Sequence, residues 1–121
     1  MAIDRDKLRN LFGGKCAYCG KLLDKVFHAD HVAPIYRGWP GEIKPQRAGE
    51  DIFSNLFPSC PRCNIRKGVF TVEEFREEIM LQSERMRRDS SAFRLAEDFG
   101  IIKETGNPVV FWFEKYKKDN A

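Results

Sequence analysis

Residues 60–68 of this chain are CPRCNIRKG, and residues 16–20 are CAYCG. Each segment contains a C-x-x-C turn, which holds two thiolates on one side of a tight loop. All cysteines of the chain fall in these two turns, and we therefore predict a closed tetrahedral site of four thiolates for a zinc ion. Because no coordination position stays open, the zinc is expected to be structural. The predicted ligands are Cys16, Cys19, Cys60 and Cys63.

Other interpretations of the cysteines are weaker. Two disulfides would be unusual in a chain without an apolar secretory segment at its start. A thioredoxin-like pair would need a βαβ pattern, and buried free thiols would not need to occur in pairs. The segment between the two turns, 20–59, is longer than in a zinc ribbon. This length implies that a whole motif is inserted between the two halves of the zinc site.

Polar residues follow in a fixed order in and after the insert. Residues 30–34 are DHVAP, Asn55 precedes a leucine, and Asn64 follows the last cysteine. Together with the two C-x-x-C turns, this order resembles the HNH endonuclease family over residues 16–68. No single fragment is specific, because short pairs such as Asp-His occur everywhere by chance. The ordered set is specific.

The resemblance implies a ββα-metal fold that holds one catalytic divalent cation. It implies that His31 is the general base and that Asp30 and Asn64 are ligands of the cation. It also implies that Asn55 keeps the His31 ring in position. Many relatives have a second histidine where this chain has Asn64. An amide oxygen is a harder ligand than imidazole, which favours Mg²⁺ or Mn²⁺.

The residue types suit phosphodiester hydrolysis independently of the family resemblance. A neutral imidazole near its pKa can take a proton from the nucleophilic water. A cation with few protein ligands keeps positions open for phosphate oxygens. Taken alone, Asp30-His31 would more often be a turn with a surface histidine, and Asn55 a capping residue. Their joint occurrence favours the functional interpretation.

Four further residues are secondary candidates for the site. His28 can line the cation site, contact phosphate or pack on its strand. Arg62, Arg66 and Lys67 accompany Asn64 on the predicted helix, where phosphate binding and simple solubility are equally good explanations. The net charge is only +3, so charge is supporting evidence alone. The long irregular segment 32–54 adds residues suited to nucleic-acid contact, namely Tyr36, Arg37, Trp39, Lys44 and Arg47. For Trp39, anchoring of the loop to the core is an equally good explanation.

Sequence patterns predict the remaining elements. A helix over 4–12 is capped by Asp4, a strand or hairpin lies within 22–31, and a short helix begins at Pro61 and ends just before Gly68. A capping box at Thr71 begins a helix to about residue 88, and another helix covers 91–99. We expect a final hairpin of 101–104 with 109–113, in which Trp112 faces the opposite side from its neighbours. Five phenylalanines are predicted to be core residues, namely Phe75, Phe93, Phe99, Phe111 and Phe113.

Together these patterns predict an α+β protein, a zinc-clamped ββα-metal finger flanked by helices and a C-terminal hairpin. We expect one HNH domain over 1–121, with 71–121 similar to C-terminal extensions of small phage and bacterial HNH proteins. The predicted activity is Mg²⁺- or Mn²⁺-dependent cleavage of DNA in the cytoplasm, without a membrane span. The motif is also compatible with RNA, and the main alternative is a non-catalytic zinc module that binds nucleic acid.

Overall fold

The structure is a computed structural model that describes residues 3–36 and 47–119. It divides into two compact units. The first unit comprises Met1–Val72 and Val110–Ala121, and the second unit comprises Glu73–Val109. The prediction of a single functional domain over 1–121 stays a prediction. Among the described residues, no helix has the length and apolar character needed to cross a membrane.

The first unit begins with the predicted helix. Helix α1 covers Arg5–Arg9 and continues as a 3-10 turn over Asn10–Phe12. The carboxylate of Asp4 accepts a hydrogen bond from the backbone N–H of Lys7 at 3.0 Å, which caps the first turn. The chain then leaves the helix at Gly13, whose φ of 74° favours glycine.

Two antiparallel strands and a helix form the centre of the first unit. Strand β1, His28–His31, pairs with β4, Leu56–Ser59, so that His31 lies opposite Leu56. Helix α2, Pro61–Lys67, follows β4 and ends at Gly68. This ββα order within a mixture of helices and small sheets confirms the predicted α+β ββα-metal fold. The strand in 22–31 is limited to its last four residues, because its partner comes from β4 and not from a local hairpin.

The irregular segment contains one more strand pair. Strands β2, Ile35–Tyr36, and β3, Arg47–Ala48, pair in antiparallel fashion. Residues 37–46 between them lie outside the described part of the chain. The predicted nucleic-acid contacts of Arg37, Trp39 and Lys44 fall there, and the Arg47 side chain is also outside the description.

Helices make up the second unit and the end of the chain. The predicted helix from Thr71 is present as two consecutive helices, with Leu81 between them. Ser90 caps the next helix by accepting from the N–H of Phe93 at 3.1 Å. The helices are α3, Val72–Met80; α4, Gln82–Asp89; α5, Ser91–Asp98; and α6, Trp112–Asp119.

The predicted C-terminal hairpin is wrong. No strand occurs in the described residues after β4, and the sequence expected to form the second strand leads into helix α6. The backbone N–H groups of Trp112 and Phe113 donate to Tyr18 and Ala17 at 3.0 and 2.8 Å. Glu114 then accepts from the N–H of Phe111 at 3.0 Å, which starts a helix instead of a strand.

Aromatic packing joins α6 to the core of the first unit. The ring of Phe111 lies 5.2 Å from that of Tyr18, and the ring of Phe113 lies 4.9 Å from that of Phe57. Phe111 is only 2% exposed, which agrees with its predicted core role. The same prediction is wrong for Phe99, which is 77% exposed. Trp112, predicted on an opposite strand face, lies on α6 and donates its indole N–H to the carbonyl of Phe12 at 2.9 Å.

Candidate functional site

The four cysteines converge where the first C-x-x-C turn meets helix α2. Their sulfur atoms all lie within 4.8 Å of one another, and those of Cys19 and Cys60 are 3.9 Å apart. In a tetrahedral site with zinc–sulfur bonds of about 2.3 Å, neighbouring sulfurs are about 3.8 Å apart. The cluster therefore fits such an ion and is placed to bind a metal. Cys60 is also the N-cap of α2, where its sulfur accepts from the N–H of Cys63 at 3.4 Å.

Charge within the cluster is uneven. A hydrogen bond from the Cys63 thiol lowers the pKa of Cys16 to about 4. The same hydrogen bond, with burial, raises the pKa of Cys63. The charge and hydrogen bonding of the cysteine sulfurs, Cys63 first among them, raise the pKa of Arg62, so the Arg62 guanidinium lies beside the cluster. Arg62, a predicted phosphate-binding candidate, is thus placed to balance negative charge in the metal cluster.

One face of β1 packs against helix α2. Alternate residues of a strand share a face, so His28 and Asp30 point to the same side. Asn64 of α2 lies against His28, with its Nδ2 atom 2.7 Å from Nδ1 of the ring. We call the space among His28, Asp30 and Asn64 the strand–helix cleft. His28 and Asn64 are half-buried, and Asp30 is 3% exposed.

A buried hydrogen-bond network holds the Asp30 carboxylate in this cleft. Tyr18, between the cysteines of the first turn, donates its hydroxyl to Oδ2. The ammonium group of Lys67 lies 3.4 Å from Oδ1 and 3.3 Å from Oδ2. Burial raises the pKa of Asp30, although Tyr18 and Lys67 oppose the shift. Burial and the nearby Asp30 charge also raise the pKa of Tyr18.

Lys67 also contacts the residue predicted to be the general base. Its ammonium group donates to the backbone carbonyl of His31 at 2.9 Å. Its side chain is fully buried, whereas the sequence left a choice between phosphate binding and solubility. Lys67 therefore joins the end of α2 to both functional candidates at the end of β1. Arg66 lies on the exposed side of the same helix.

The His31 ring is more accessible than Asp30. One third of the side chain is exposed, and its Nε2 atom lies 3.0 Å from Oδ1 of Asp51. A carboxylate only accepts hydrogen bonds, so Nε2 of His31 donates the proton in this contact. Asp51 and Tyr18 were not predicted as site residues, because Asp51 belongs to no motif and Tyr18 occupies an unspecified x position of the first C-x-x-C turn.

Asn55 fixes the backbone that follows His31. Its side chain accepts from the N–H of Ala33 at 2.8 Å and donates to the carbonyl of Ala33 at 2.9 Å. It also donates to the carbonyl of Glu50 at 2.8 Å. Its own carbonyl accepts from Val32 at 2.9 Å. Asn55 thus connects the residues after His31 to the segment bearing Asp51, whereas Asp51 makes the contact with the ring.

The comparison with protein families agrees with this geometry. Residues 16–70 match the family model described as HNH endonuclease, the family that the sequence motifs resemble. The match begins at Cys16 and extends just beyond α2, so it contains both halves of the cysteine cluster and the whole strand–helix cleft. No curated protein and no solved structure matches the chain significantly.

Proposed function

We propose that this protein is a DNA endonuclease that hydrolyses phosphodiester bonds with His31 as general base and one divalent cation. The observation that carries the proposal is a juxtaposition within the HNH segment. Polar side chains of the strand–helix cleft gather beside a metal-binding cysteine cluster, and an accessible histidine ends the same strand. A module that only binds nucleic acid has no need for this combination.

His31 is oriented for proton transfer by its neighbours. Asp51 holds the Nε2 proton, so Nδ1 is the atom that accepts the proton of the nucleophilic water. After the transfer, the carboxylate stabilises the imidazolium that forms. Lys67 and Asn55 fix the backbone on either side of the residue. A ring with fewer accessible orientations loses less entropy in reaching the reactive geometry.

Asp30 and Asn64 are the proposed ligands of the catalytic cation, Mg²⁺ or Mn²⁺. Ionised Asp30 offers about four lone pairs, so it can accept from Tyr18 and Lys67 and still bind a cation. Asn64 contributes its amide oxygen from α2. When bound, the cation polarises the phosphate and stabilises charge on the departing oxygen.

The cysteine cluster is proposed to hold structural zinc. The first C-x-x-C turn carries Tyr18, and the second begins the helix that carries Asn64 and Lys67. A bound ion joins these two segments and keeps both sides of the strand–helix cleft together. Four thiolates saturate the ion, so it takes no part in the reaction. A reducing compartment such as the cytoplasm, where we expect the protein, keeps the thiols available.

Plasmid cleavage with a metal titration tests the proposal. Zinc-loaded wild type is expected to cut supercoiled DNA with added Mg²⁺ or Mn²⁺ and to stop with EDTA in excess of the added cation. Asn64→Ala is expected to lose cleavage, because it removes a ligand. Asn107→Ala, an exposed asparagine of the second unit, is the matched control and should cut like wild type. DNA binding without cleavage under any metal would favour the non-catalytic binding module.

A further inference from the structure

We propose that His28 is a ligand of the catalytic cation through Nδ1, beside Asn64, and that the site therefore prefers Mn²⁺ to Mg²⁺. This inference rests on the proposed function and adds a nitrogen ligand to its oxygen ligands. Its basis is the position of His28 in the strand–helix cleft.

The backbone places His28 and Asp30 on the same face of β1, where both contact helix α2. His28 and Asp30 are two residues apart on β1 and share a face of the strand. Their partners, Asn64 and Lys67, are three residues apart on α2 and share a side of the helix. The contact of His28 with Asn64 therefore lies beside the contact of Asp30 with Lys67, on the same face of β1. It lies on the cation side of the strand, and His31 lies on the other side.

The contact between His28 and Asn64 leaves the ring in the form that binds metals. The Asn64 amide donates from Nδ2 to Nδ1 of His28 across 2.7 Å, so Nδ1 is the acceptor in this contact. A half-turn of the amide puts its oxygen where the nitrogen was. Adjacent ligand atoms of an octahedral ion with bonds of about 2.1 Å are about 3 Å apart. The two side chains therefore already have the separation that a shared cation requires.

A nitrogen ligand changes the expected metal preference. Magnesium favours oxygen ligands and keeps several waters, whereas imidazole suits first-row transition ions. Without His28, the site would contain only the carboxylate and amide oxygens of Asp30 and Asn64. With His28, a mixed nitrogen and oxygen set favours Mn²⁺ over Mg²⁺. Partial burial of His28 and Asn64 favours binding of either cation, because the ligands lose less hydration on binding.

Pulsed electron paramagnetic resonance of bound Mn²⁺ tests the inference directly. The chain has only two histidines, so His31→Gln leaves His28 as the sole source of imidazole nitrogen. Tag-free, zinc-loaded His31→Gln protein is prepared with ¹⁵N-labelled histidine and compared with the unlabelled protein. Coupling of Mn²⁺ to the labelled nitrogen is expected. Bound Mn²⁺ without histidine coupling would overturn the inference.

A binding titration supplies the second readout. His28→Gln is expected to weaken Mn²⁺ binding by at least the roughly tenfold that loss of an outer-shell partner produces, and to weaken Mg²⁺ binding less. Equal Mn²⁺ affinity in wild type and His28→Gln would overturn the inference. If wild type still cleaves DNA with a cation, the proposed function survives that result. If wild type neither binds a cation nor cleaves DNA, the proposed function fails as well.

Discussion

The two units of the molecule are stabilised in different ways. In the first unit, decisive contacts join residues far apart in sequence, such as Lys67 with Asp30 and Trp112 with Phe12. In the second unit, Arg87 pairs with Glu97 and Glu104 on the surface. The second unit also exposes large apolar side chains, which include Phe99 at 77% and Ile101 at 79%. The first unit thus depends on buried long-range contacts, and the second on helices and surface pairs.

Charge differs between the units as well. Acidic side chains outnumber basic ones in residues 73–109, although the whole chain has a net charge of +3. The positive excess therefore lies in the first unit, which also contains the strand–helix cleft. Phosphate attraction is expected there, because affinity for nucleic acid derives largely from contacts between basic side chains and phosphates.

Removal of zinc should have the largest effect on stability, and it should affect the first unit more than the second. The strands and α2 are short elements, and short elements need tertiary support. Binding of a structural zinc contributes roughly 10–16 kcal/mol in zinc-finger peptides. Chelation is therefore expected to abolish amide protection in β1, β4 and α2, and α4 with α5 should keep more of theirs. Hydrogen exchange with and without chelator measures this difference. Equal losses in both units would contradict the comparison.

Lys67→Met should cause the second largest loss of stability, because it leaves the buried Asp30 carboxylate without its counter-charge. Breaking a buried pair by removing one partner costs about 3–5 kcal/mol. Urea unfolding of zinc-loaded protein measures the free energy of unfolding. The double variant Lys67→Met with Asp30→Leu is the matched control and should recover much of the loss. A loss as small as that of an exposed arginine would show that the pair does not stabilise the first unit.

Phe111→Ala and Phe99→Ala compare a buried with an exposed ring. Phe111 is 2% exposed, so its truncation is expected to cost about 3–5 kcal/mol and to loosen α6. Phe99 is 77% exposed, and its truncation should stay within about 0.5 kcal/mol. Thermal melts of both variants measure the contrast. Similar losses would mean that the exposed apolar surface of α5 contributes to folding.

The smallest effect is expected for Arg87→Met in the second unit. The hydrogen bond from Arg87 lowers the pKa of Glu97. The stability that Arg87 adds is therefore present above the ordinary glutamate pKa and is lost as pH falls through the lowered value. Melts at neutral and acid pH should show a slight difference that disappears in acid. A difference that grows in acid would contradict this assignment.

Sequence predicted the parts of the fold that local patterns encode. The cap at Asp4 and the proline that begins α2 gave the right helices, and the two C-x-x-C turns gave the cysteine cluster. The prediction of a C-terminal hairpin was wrong because the apolar run VVFWF at 109–113 suits a strand and a helix start equally well. Contact with Tyr18, far away in sequence, decides between them.

The site was predictable in its motif residues and unpredictable in their partners. Asp30, His31 and Asn64 were identified as a set because their order matches a family. Asp51 and Tyr18 were not, since only the folded chain brings them to His31 and Asp30. Burial of Lys67 was equally unpredictable from the sequence, because a lysine in a basic helix ordinarily faces solvent. The roles of these residues stay predictions until they are tested.

The most direct test of the account is the single-turnover rate of DNA cleavage by His31→Ala at saturating Mn²⁺. The zinc-loaded variant should bind DNA and Mn²⁺ like wild type, because His31 is not a proposed ligand. Its cleavage rate should fall by roughly 10²–10⁴-fold, the usual contribution of a general base. A variant that still cuts at the wild-type rate would contradict the assignment of His31 as the general base.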